Sequence, residues 1–138
     1  MSDFSMFRGV VETVGDTSVV VVDTIAHVRA EDAGQVVMTG SHGGLSSGEY
    51  AGRAHLAAVF FNDAGIGKEN AGVAALDYLS GLGIAAGAVS HESAEIGLGH
   101  ETWGGVISAL NPLAESAGFV RGEPVQGAVR RVFGKGGR

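Results

Sequence analysis

Ser41-His42-Gly43-Gly44, Asn62-Asp63-Ala64-Gly65 and Ser90-His91-Glu92-Ser93 each follow directly on a short apolar run, and together they hold most of the chain's candidate chemistry. A histidine with the ordinary pKa of ~6.5 exchanges protons near neutral pH, so His42 and His91 are candidate general acids or bases. Asp63 could orient one of these rings or a water molecule. The consecutive glycines Gly43 and Gly44 could turn their N–H groups inward as an anion-binding nest and stabilise developing negative charge. Ser41, Asn62, Ser90 and Ser93 supply further hydrogen-bonding groups expected at a substrate. Ser90 or Ser93 as a nucleophile would need a histidine beside it in space, and the chain has no Gly-x-Ser-x-Gly elbow.

An alternative use of the same residues is a divalent metal such as zinc, held by His42, Asp63 and His91 from three strand ends. No His-x-x-x-His or comparable local spacing supports it, and the leading expectation is an enzyme without a cofactor. The Gly67-Lys68 pair invites comparison with a phosphate-binding P-loop. That fingerprint needs glycine five residues before its Gly-Lys and a hydroxyl after the lysine; Asn62 and Glu69 stand there instead. Lys68 is one of two lysines in the chain; it could hold an acidic group of a substrate or pair with Glu69 or Asp63. Trp103, the only tryptophan, could wall a pocket by stacking on a flat substrate, or could pack in the core or at a subunit contact. His27 and His55 fall in connectors and are read as structural.

The elements that must position these groups follow from hydrophobic patterning. Residues 19–22 are four consecutive valines, and residues 35–39, 57–61 and 84–89 are similarly apolar, as expected of strands buried on both faces. Residues 7–14 form a plausible opening strand, joined to the valine run by the turn signal Gly15-Asp16-Thr17. Residues 25–34 suit a short helix and residues 46–55 a capped one. The helix pattern is clearest over 69–82, where Val73, Leu76, Leu79 and Leu82 repeat at three-residue steps. Residues 104–110 read as a further strand. Asn111-Pro112 looks like an N-cap and first helical turn with Gly118 as the stop, and Glu123-Pro124 could open a last helix through Phe133.

Alternating strands and connectors argue for a single α/β domain over residues 7–133. The expected fold has three layers, a mostly parallel sheet between helices, Rossmann-like or flavodoxin-like, with flexible ends at 1–6 and 134–138. In such sheets the strands' carboxyl ends form the ligand edge, where His42, Asp63 and His91 would meet.

Composition sets limits on function. A chain of 138 residues, 45% apolar, can bury a core. No apolar stretch reaches the ~20 residues of a membrane span, and residues 1–8 lack a secretory leader's basic and apolar regions. The formal charge of −6 disfavours a nucleic-acid partner, and the lack of cysteine excludes disulfides and thiolate chemistry. Glycine, at 24 residues, is in excess and gathers after the apolar runs. These features lead to the expectation of a small cytoplasmic enzyme, a homo-oligomer, performing acid–base hydrolysis or elimination on a small polar or anionic molecule. A non-catalytic small-molecule-binding or accessory domain using the same cleft is the alternative, and a metal-dependent hydrolase is another.

Overall fold

The computed structural model describes residues 7–65 and 73–134. Its centre is one six-stranded sheet: β1 (Arg8–Val14), β2 (Thr17–Val22), β3 (Val36–His42), β4 (Ala58–Asn62), β5 (Ala85–Val89) and β6 (Ile107–Leu110). The strands lie in sequence order. β2 to β5 are parallel, and β1 and β6 close the two sides antiparallel. The opening hairpin is as read from the sequence, with Gly15 at a φ of 60° in its turn.

The expected Rossmann-like or flavodoxin-like arrangement is not what the chain adopts. Both fold types reverse strand order part-way across the sheet, and this order contains no reversal. Consecutive parallel strands joined by right-handed crossovers place every connecting segment on one face. That is observed. Ile25 of a 3-10 turn (Ile25–His27), Ala51 of α1 (Leu45–Ala51), and Ala75, Leu76 and Leu79 of α2 (Ala74–Gly81) share one apolar cluster with Val20, Val22, Val37, Val59 and Phe61. The second face packs Val19, Val21, Met38 and Phe60 against Trp103 of α3 (Gly99–Trp103), Ala114 of α4 (Pro112–Ala117), Phe119, and Val125, Ala128 and Val129 of α5 (Val125–Gly134).

Local signals set several boundaries. The side chain of Asn111 caps α4, with Pro112 in the first turn and Gly118 left-handed at φ 114° after the last. The connector at 25–34 forms two 3-10 turns, the second being Ala30–Asp32, instead of a helix. Of the helix expected over 69–82, residues 69–72, Gly72 among them, lie outside the described residues, as do 1–6 and 135–138. Among the described residues no helix is long and apolar enough to cross a membrane.

The return from β5 to β6 shapes the ligand edge. From Ser90 the chain runs back across the carboxyl ends of the parallel strands before α3. Asn62 donates its side-chain amide to the Ala94 carbonyl (2.9 Å), Gly97 N–H donates to the Gly40 carbonyl (2.7 Å), and Gly99 N–H donates to Asp23 Oδ1 (2.8 Å). This strap therefore touches β4, β3 and β2 in turn. Gly40 permits the crossing, because a Cβ there would overlap the backbone of Gly97 and Leu98.

Candidate active site

Asp63 organises the carboxyl edge. It follows β4 directly and is 5% exposed. Its Oδ1 accepts the N–H of Gly65 (2.7 Å) and the N–H of His91 (3.1 Å), and lies 3.4 Å from His91 Nδ1. Its Oδ2 accepts the hydroxyl of Ser108 (2.6 Å), at the start of β6. The turn that delivers Gly65 passes through Ala64 at φ 51°, the one non-glycine residue with positive φ among the described residues. That conformation costs about 1 kcal/mol, and it is held because Asn62 Oδ1 accepts the Ala64 N–H (2.7 Å). Backbone strain concentrated beside a buried carboxylate marks a place where geometry is imposed.

Burial by itself would raise the pKa of Asp63. The Ser108 hydroxyl, the N–H groups of Gly65 and His91, and the His91 side chain outweigh it and hold the group below its usual value. Asp32 is likewise depressed: burial opposes, while the Arg8 guanidinium at 2.9 Å on both oxygens and the Arg29 N–H prevail. A folded-state pKa below the unfolded value of ~3.9 means stability that is present above about pH 4 and lost as pH falls through the folded value. An Asp63→Asn variant lacks one such group. In urea unfolding, the stability gap between wild type and this variant is expected to shrink on acidification from about pH 5 to about pH 3. A gap that stays constant would contradict the assignment.

The other expected site residues divide sharply. His91 joins Asp63, and its side chain is 51% exposed to solvent. His42 ends β3, in register with Asn62, and is exposed; its Nδ1 accepts the Gly44 N–H (3.0 Å). The glycine nest does not form, because Gly43 N–H is already given to the Asn62 carbonyl (3.1 Å) and Gly44 N–H to His42. Asn62 is wholly buried and spends its side chain on Ala64 and Ala94. Ser41 Oγ accepts the Ile25 N–H (3.0 Å), tying β3 to the following connector. Ser90 Oγ accepts the Glu92 N–H, while Ser93 Oγ donates to the Ser90 carbonyl and accepts the Val106 N–H. These serines hold loops, and none is hydrogen-bonded to a histidine. Trp103 is 8% exposed and packs in the core on the strap side. Lys68 lies outside the described residues.

Among the described residues no group of three or more His, Asp or Glu is placed to hold a metal ion. His42, Asp63 and His91 therefore do not form the three-ligand set considered above. Both Asp63 oxygens are occupied by donors, and His42 turns its Nδ1 to its own loop.

Ser108 is the participant that sequence reasoning passed over. It interrupts an apolar strand, which looks like ordinary edge-strand polarity. The signal was its direction: a strand antiparallel to β5 starts where β5 ends, so its first residues reach the same edge. Ser108 donates a hydrogen bond to Asp63 and so acts as an orienting group.

Comparison with protein-family models, with curated proteins and with solved structures finds no match to this chain.

Proposed function

We propose that the chain is a small enzyme performing acid–base chemistry, hydrolysis or elimination, on a small polar molecule at the carboxyl edge of its sheet. One observation carries this reading: a buried carboxylate, fixed by Ser108 and two backbone N–H groups, faces Nδ1 of a half-exposed histidine. With a proton on Nδ1 directed at Asp63, Nε2 of His91 keeps a lone pair that can take a proton. The carboxylate both orients the ring and stabilises the imidazolium formed when Nε2 takes a proton. An anionic substrate has less support than a polar one, since the Gly43 and Gly44 amides are engaged within the chain.

The test is a panel of small esters, lactones and β-hydroxy acids, followed for turnover and, separately, for binding. Asp63→Asn should separate the two. The backbone donors on Oδ1 keep the new amide oxygen in place, and the Ser108 hydroxyl can turn to accept its NH₂. Geometry survives while the charge is lost. A hydrogen bond to a charged group is worth about 1.5–3 kcal/mol, so kcat should fall by roughly 10- to 150-fold with little change in KM. Saturable binding of a panel member with no turnover by wild type would instead favour the non-catalytic binding domain.

A further inference from the structure

The hydrogen bond from Gly44 to His42 has a consequence for substrate class. A backbone N–H can donate to His42 Nδ1 only if that nitrogen carries no proton, so the neutral ring holds its proton on Nε2. His91 is turned the opposite way: its Nδ1 lies 3.4 Å from the Asp63 carboxylate, which favours a proton on Nδ1 and a lone pair on Nε2. In these tautomers the Nε2 of His91 is an acceptor and the Nε2 of His42 a donor. His42 pairs in register with Asn62, and Asn62 with Val89, two residues before His91. The two histidine-bearing strand ends thus flank β4 at two strand spacings, roughly 10 Å. A small molecule bridging the two rings is of a size with that separation.

We infer that His42 is the hydrogen-bond donor to a substrate carbonyl oxygen, and that the substrate class is small carbonyl compounds. This rests on the acid–base reading above and supplies the oxygen-stabilising group that the glycine amides cannot provide. In water attack, His91 Nε2 takes a proton from water as the water oxygen bonds to the carbonyl carbon. The π pair moves onto oxygen, held there by His42 Nε2–H. As the carbonyl reforms, the leaving group departs with the proton from His91. In α-proton removal, the C–H proton goes to the same Nε2, its pair forms a carbon–carbon double bond, and the carbonyl oxygen takes the charge against the same donor. Both routes need one acceptor and one donor.

Two measurements test this. Long-range ¹⁵N–¹H correlation on labelled wild-type protein, in buffer alkaline enough that both rings are neutral, should place the ring proton on Nε2 of His42 and on Nδ1 of His91. A His42 proton on Nδ1 overturns the inference. Kinetically, the probes are p-nitrophenyl acetate for water attack and pyruvate, followed by methyl hydrogen exchange in D₂O, for α-proton removal. Wild type should accelerate at least one, and His42→Phe should lower kcat by ~10²–10³-fold with KM little changed. Acceleration of neither probe overturns the carbonyl assignment and leaves the acid–base reading to the wider panel. Activity kept in His42→Phe but lost in His91→Ala sinks the role of His42 alone. Activity kept in both sinks the acid–base reading as well.

Discussion

Replacing His91 with alanine should lower kcat by ~10²–10⁴-fold on any substrate the wild-type protein turns over. Each tenfold in rate is 1.36 kcal/mol, so the change corresponds to about 3–5.5 kcal/mol of lost transition-state stabilisation. Little of this effect should come from misfolding. The His91 side chain is half exposed, and the link from residue 91 to Asp63 that shapes the loop is a backbone N–H, which alanine retains. Stability should therefore stay within about 0.5 kcal/mol of wild type, as for most surface substitutions. The matching control is His27→Ala, on an exposed connector away from Asp63, which should leave kcat unchanged. Thermal unfolding and steady-state kinetics on both variants separate a lost base from a damaged fold. Undiminished turnover by His91→Ala would remove the histidine from the mechanism.

The largest stability effect should come from Asn111→Ala, far from the chemistry. Asn111 is 2% exposed and uses its whole side chain: Oδ1 accepts the N–H of Ala86 (3.1 Å) and of Ala114 (3.0 Å), while Nδ2 donates to the carbonyls of Leu76 and Ile84 (both 3.0 Å). One residue thus caps α4 and ties the first turn of α2, through Leu76, to the start of β5. Alanine would leave these buried backbone groups without partners, at about 1–3 kcal/mol for each group that cannot find another. With partial relaxation, a loss of about 3–5 kcal/mol is expected, in the range reserved for broken buried networks. Urea denaturation measures it. A loss under about 1 kcal/mol would mean that the network re-forms around water or a shifted helix.

What could be read in advance follows from which forces are local. The valine run at β2 and the apolar stretches of β3, β4 and β5 announce themselves because strands buried on both faces admit little but β-branched and small apolar residues. Asn111, Pro112 and Gly118 mark α4 because capping is a matter of adjacent residues. Strand order is different. Apolar runs of similar length pair equally well in several orders, so patterning gave the parallel sheet but not its unreversed sequence. The Gly43-Gly44 pair shows the same limit at the site, since a sequence reveals where N–H groups are and not what accepts them. Asp63 and His91 were found together because both follow adjacent strands. Ser108 was missed because its position depends on the direction of β6. The strap from Ser90 to α3 left no periodic trace, and only the close approach at Gly40 betrays it.

The most direct test of the proposed Asp63–His91 unit is a double-mutant cycle on kcat between Asp63→Asn and His91→Ala. If Asp63 acts through His91, adding Asp63→Asn to the His91→Ala protein should change the residual rate by less than about twofold, because the group it served is already gone. If the aspartate substitution again costs its full single-variant factor, the two residues work independently, and the proposed catalytic unit does not exist.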